Sequence, residues 1–150
     1  SETTDAAPKG FAKVSPNMVV AYSVSRHLQD IGVDSGVPER DLHVTLFYAR
    51  NGIPSGNPTD RTFEASLTGE YEIIGQAPWR ALVAKLESPE LQARFDEIRA
   101  TGAEHSYPSY FPHLSLKYDP TEEDLAAIRA NPLPLTSIVL GGEEWKPVKS

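Results

Sequence analysis

Leu42-His43-Val44-Thr45-Leu46-Phe47-Tyr48 and Pro112-His113-Leu114-Ser115-Leu116-Lys117-Tyr118 are two versions of one pattern. Each alternates apolar with polar residues and sets a histidine two positions before a hydroxyl side chain. Alternation of period two marks a half-buried strand, whose residues i and i+2 project from the same face. Leu42, Val44 and Leu46 then face a core, and His43 and Thr45 a cleft. In the second copy Leu114 and Leu116 turn inward, while His113 and Ser115 face the cleft and Lys117 continues that face. One such pair is ordinary in any sheet. Two, 70 residues apart, suggest a duplicated half-site with one acid and one base.

The surroundings repeat as well. Residues 10–14, GFAKV, read as a strand, and Ser15-Pro16 as a helix start with serine as N-cap and proline in the first turn. The apolar residues that follow keep helical spacing up to Gly32, and the motif strand is expected at 42–49. The loop from Asn51 to Arg61 is rich in glycine and proline and is expected to be exposed. RTFEASL and EYEII then read as two strands of a hairpin around Thr68-Gly69. The second half starts again with a strand, Arg80–Glu87, a helix capped by Ser88-Pro89, and the motif strand at 113–118. Thr121 caps a third helix, and TSIVLGG forms a late strand before EEWKPVKS. From capping serine to histidine is 28 residues in one half and 25 in the other. The expected fold is α+β: one domain of two pseudo-symmetric β-α-β lobes, with mainly antiparallel sheets lining a central groove and helices outside.

Composition narrows the function. The chain of 150 residues fits one domain with a substantial core. With no cysteine there is neither a disulfide, a thiolate metal site nor a cysteine nucleophile, which suits a reducing cytoplasm. No apolar run reaches the ~18 residues of a membrane span. The first ten residues lack the pattern of a signal peptide, residues 1–9 read as a flexible tail, and the missing initiator methionine points to trimming or to a recombinant start. The net charge of −7, with 14 Lys and Arg against 21 acids, argues against an extended duplex-binding face. A small phosphate ligand suits it better, met by local lysines such as Lys9, Lys13, Lys117, Lys146 and Lys149. Monomer is the default expectation.

Two histidines flanking a phosphodiester can divide the work of breaking it. A neutral one removes a proton from the attacking hydroxyl or water, and a protonated one gives a proton to the departing oxygen. Unperturbed histidine titrates near ~6.5, so both forms coexist around neutral pH. Thr45 and Ser115 can donate hydrogen bonds to the non-bridging phosphate oxygens. The scheme needs neither cofactor nor metal. A zinc site built on the two histidines would need a third ligand from His105 or an acid, and is the weaker reading.

Paired His-x-Thr/Ser motifs on a duplicated α+β frame resemble the two-histidine (2H) phosphoesterase superfamily, which includes RNA 2′,3′-cyclic phosphodiesterases. The likeness covers residues 10 to 148, so residues 10–150 are taken as a 2H phosphoesterase domain. ATGAEHSYPSYFPHLSLKYD and the ending IVLGGEEWKPV are similar to the phage anti-CBASS nucleases, which destroy cyclic di- and trinucleotide signals of bacterial immunity. The resemblance implies a metal-independent phosphodiesterase acting on 3′–5′ linkages of cyclic oligonucleotides in the cytoplasm of an infected bacterium. It makes His43 and His113 the acid/base pair and Thr45 and Ser115 the phosphate clamps. Serine stands at 115 where the second motif commonly carries threonine; the hydroxyl is kept.

Around these four, aromatic rings can stack on bases and carboxylates can read their donor edges. The candidates are Phe11 and Lys13 on the first strand, Tyr107 and Tyr110 before His113, and Glu143, Glu144 and Trp145 after the late strand. Two other readings stand beside this one: an RNA-end 2′,3′-cyclic phosphodiesterase, and a non-catalytic nucleotide-binding accessory domain of a phage protein.

Overall fold

The computed structural model describes residues 10–49, 58–102 and 109–147. Its strands are β1 (Gly10–Pro16), β2 (Val44–Ala49), β3 (Phe63–Ile74), β4 (Ala81–Glu87), β5 (His113–Tyr118) and β6 (Ser137–Pro147). Its helices are α1 (Met18–Asp30), α2 (Pro89–Ala100) and α3 (Glu122–Ala130). Every strand pairing among the described residues is antiparallel, and the order β1-β2-β5-β4-β3-β6 closes on itself. The closure is uneven. β1 is zipped to β2 and β6 over most of its length, and β4 to β3 and β5. The two lobes so formed join where Val44 pairs with Leu114, and where β6 crosses from β3 to β1. The α+β, two-lobed frame read from the sequence is the one observed.

The connections tie each half to the other. After α1, Val37 N–H donates to Leu116 O of β5 at 2.9 Å. α2 lies against β2, where Phe95 meets Phe47 with ring centroids 5.1 Å apart. Leu46, Leu82, Leu116, Ile128 and Leu140 are wholly buried in the shared core, each stabilising the fold by roughly 1.5–3 kcal/mol. One core thus serves both lobes, and neither half closes without the other.

Helix starts follow local chemistry, with one correction. Ser88 accepts from Leu91 N–H at 3.0 Å and donates to Glu64 O at 2.6 Å, with Pro89 in the first turn. Thr121 and Asp124 form a reciprocal capping box. Ser15-Pro16, however, does not start α1. β1 runs on through Pro16, because Ser15 and Pro16 find partners in Gly141 and Leu140 of β6. Asn17 is the cap, accepting from Val20 N–H at 2.9 Å. Measured from Asn17, the distance to the motif histidine is 26 residues, closer to the 25 of the second half.

The expected hairpin at Thr68-Gly69 is also corrected. β3 continues through it in one direction, with a bulge between Leu67 and Tyr71 against β4 and Gly69 at φ +86°. Thr68 Oγ1 holds the bulge, accepting from Glu70 N–H and donating to Lys85 O. Likewise the late strand does not stop at its glycines: Gly142, at φ +62°, bends β6 toward β1. The tail at 1–9, most of the loop after β2, and His105 and Tyr107 lie outside the described residues.

Candidate active site

Val44 of β2 and Leu114 of β5 are cross-strand partners, 0% and 1% exposed. An antiparallel register carried one residue either way sets His43 opposite Ser115 and Thr45 opposite His113, on the face away from the core. The four motif side chains therefore form a diagonal arrangement about a local twofold axis. All four are partly exposed, whereas Leu42, Val44, Leu46, Leu114 and Leu116 are buried.

Both histidines are held in the same way. His43 Nδ1 donates to Asp41 O at 2.8 Å, and His113 Nδ1 to Phe111 O at 3.0 Å. A carbonyl oxygen can only accept, so Nδ1 carries the proton on each ring. Nε2 is left on each ring to accept or deliver a proton. Burial pushes the His43 pKa below its ordinary value of 6.5. The Asp41 carbonyl opposes this, the positive charges of Lys13 and His113 add to it, and the Asp41 carboxylate opposes it again. His43 is thus held toward its neutral form.

The first strand brings up three of the other candidates. Lys13 is paired with Thr45 on one side and Glu144 on the other, and its Nζ lies 3.6 Å from a Glu144 carboxylate oxygen. Phe11 lies with its ring centroid 6.2 Å from that of His43. Phe11, Lys13 and Glu144 so share the face of His43 and Thr45.

Glu143, Trp145 and Tyr110 are placed otherwise. Trp145 pairs with Ala12, a buried residue, and so stands on the core face of β6. The Glu143 side chain is 0% exposed. It accepts from Arg94 Nε and Nη2 at 2.9 and 2.8 Å, from Trp145 Nε1 at 2.7 Å and from Thr59 N–H at 3.3 Å. These contacts engage both Glu143 carboxylate oxygens inside the fold and turn the Trp145 ring toward the core. Tyr110 lines the groove, but its hydroxyl donates to Thr45 O at 2.9 Å and its ring stacks on Phe95 at 4.8 Å. It fastens β2 to the segment leading into His113. Burial pushes its phenol pKa well above the ordinary value. Lys117 is likewise committed, 2.8 Å from Asp124.

A groove of about 1140 Å³ opens beside the motif, reaching from Thr45, His113 and Ser115 across β4 to β3 and Trp79. Several of its lining residues were not singled out in the sequence. Trp79 is 82% exposed at the rim. Gly75 makes the turn that puts it there: φ is +83°, and an added Cβ would lie 2.6 Å from Trp79 O. Lys85, Glu70 and Glu72 line the far wall. The signal lies in Glu70-Tyr71-Glu72, whose glutamates alternate onto the groove face, and in Lys85, the lone polar residue of ALVAK. Among the described residues, no cluster of three or more His, Asp or Glu side chains is arranged to hold a metal ion.

The family model described as Anti-CBASS protein Acb1 matches residues 13–150. The Anti-CBASS protein Acb1 of Salmonella phage S16 is 30% identical over 121 residues, 81% of this chain and 76% of that protein. The one from Enterobacteria phage T4 is 32% identical over 91 residues, 61% of this chain and 59% of its own length. In architecture the chain is similar to E. coli LigT complexed with 3′-AMP, with a TM-score of 0.58 at 14% identity over 95% of each chain. At that identity the likeness is one of fold. The model match over nearly the whole chain, the phage relatives and the shared frame agree: this chain belongs to the Anti-CBASS protein Acb1 family and has the two-histidine phosphoesterase fold.

Proposed function

We propose that the chain is a metal-independent phosphodiesterase that opens 3′–5′ linkages of cyclic di- and trinucleotides in the cytoplasm of a phage-infected bacterium. The observation that supports the chemistry is the matched anchoring of His43 and His113 through Nδ1, which leaves an Nε2 on each ring, one on either side of the Val44–Leu114 pairing, for proton transfer. His43, whose pKa burial pushes below its ordinary value, is the base. Its Nε2 takes the proton of the 2′-hydroxyl, whose oxygen attacks the adjacent phosphorus. The bond from phosphorus to the 5′ oxygen breaks, and His113, as the acid, delivers a proton to that oxygen. Thr45 and Ser115 donate to the non-bridging oxygens as charge builds there.

The substrate class is supported by family membership and by size. A groove of about 1140 Å³ exceeds what one base and sugar fill. Lys13, beside Thr45, supplies a cation for a phosphate within an otherwise acidic chain.

The test is incubation with a panel of cyclic di- and trinucleotides and a 2′,3′-cyclic-ended RNA in EDTA, read by mass spectrometry. Linearised cyclic nucleotides are expected. Cleavage of the RNA end alone would assign the chain to RNA-end processing, and retention of ligand without product would make it a binding module.

A further inference from the structure

The strand registers lay two rows of side chains across the groove face. One runs His43, Ser115, Val83, Glu72; the other runs Thr45, His113, Lys85. Neighbouring strands lie ~4.8 Å apart, so Glu72 stands roughly 10 Å from Ser115 along its row. Between them Val83, with Ala81 beside it, makes an apolar floor whose side chains offer no hydrogen bonds. At the far wall Lys85 Nζ lies 3.5 Å from a carboxylate oxygen of Glu70 and 3.5 Å from one of Glu72. The Lys85 and Glu72 side chains are 40% and 43% exposed. Contacts of that length are longer than the ~2.7–2.9 Å of a charge-assisted hydrogen bond, so both groups keep capacity for a third partner. The proposed acid/base chemistry uses none of these residues.

The wall therefore shows a donor, the Lys85 ammonium, beside the two acceptor oxygens of Glu72. Its complement is an edge reading acceptor, donor, donor. Guanine has that edge, with O6, N1–H and N2–H₂ in line. Adenine, giving N1 to Lys85 and N6–H₂ to Glu72, meets only one of the two carboxylate oxygens, and uracil turns its second carbonyl toward the other. Trp79, on the rim of the same groove, adds an exposed ring face for the base.

We infer that Glu72, together with Lys85, selects guanine in the nucleotide adjoining the scissile phosphate by reading its Watson–Crick edge. The position of that phosphate rests on the phosphodiesterase reading; recognition of the base is measurable without it.

The test compares guanosine and inosine 5′-monophosphates, which differ only in the N2 amino group, by calorimetric titration of the full chain. The wild type should bind the guanosine form about tenfold tighter, the worth of one hydrogen bond to a charged acceptor. In Glu72→Gln the amide turns a donor toward the base, and the ratio should fall to near one. A ratio within one protein does not depend on the folded fraction. Equal binding of the two nucleotides by the wild type, or an unchanged ratio in E72Q, would overturn the inference. The same ratio is then read in kcat/KM on a cyclic guanosine–adenosine dinucleotide and its inosine analogue. Guanine-selective binding without turnover keeps the inference and removes the phosphodiesterase reading. Turnover without selectivity does the reverse.

Discussion

Val44 faces Leu114 at the one register point where β2 meets β5, and both side chains are buried. The alternation on either side of that contact is what turns His43, Thr45, His113 and Ser115 out of the core together. Leu114→Ala removes the apolar side of the contact from a packed interior. It is expected to cost about 2–5 kcal/mol, seen as a lower urea midpoint. An unchanged midpoint would mean that the lobes are not joined through this pair.

The environment of His43 sets the acid side of the pH profile. With its pKa pushed below 6.5 by burial and by the charges of Lys13 and His113, His43 in its proposed role as base is lost to protonation only below that pH. Lys13→Met removes one of the cations that hold it down. The acid limb of kcat/KM should therefore move to higher pH in that variant, and a limb that stays put would detach Lys13 from His43. The unfolded chain, with the higher histidine pKa, binds more protons as pH falls below 6.5, so His43 destabilises the fold only there.

Tyr110 ties the two motif strands through its hydroxyl on Thr45 O. Tyr110→Phe keeps the stack on Phe95 and removes that bond. A loss of about 0.5–1.5 kcal/mol in stability is expected by denaturant titration, with a fall in kcat as Thr45 loosens. Wild-type kcat in the variant would show that the bond does not position Thr45.

What the sequence disclosed, and what it hid, follows from the range of the forces involved. The faces of β2 and β5, the caps at Ser88 and Thr121 and the four motif residues were legible because alternation and capping are local. Ser15-Pro16 had the same local signature as Ser88-Pro89, yet β6 pairs with it and keeps it extended. Thr68-Gly69 looked like a turn, but the segments on either side both find partners on β4 and make it a bulge. Glu143 reads in the sequence as a carboxylate open to a base edge. Only the register of β6 past Gly142 turns it inward onto Arg94, a residue 49 positions away.

That inward turn has a measurable consequence. Glu143→Ala leaves Arg94, 11% exposed, without its bidentate partner and strands the Trp145 N–H. Removing one member of a buried pair costs about 3–5 kcal/mol, so the melting temperature should drop sharply while KM changes little. A large rise in KM with normal stability would restore Glu143 to the substrate site.

In the proposed reaction His43 and His113 act as one acid/base unit. The most direct test is kcat/KM of His43→Ala, His113→Ala and the double variant on a cyclic dinucleotide in EDTA. Each single change is expected to cost on the order of 10²–10⁴-fold, since each removes one partner in proton transfer. The double variant should be little worse than either, because groups that work as a unit are lost together. Near-wild-type turnover in either single variant would contradict the claim.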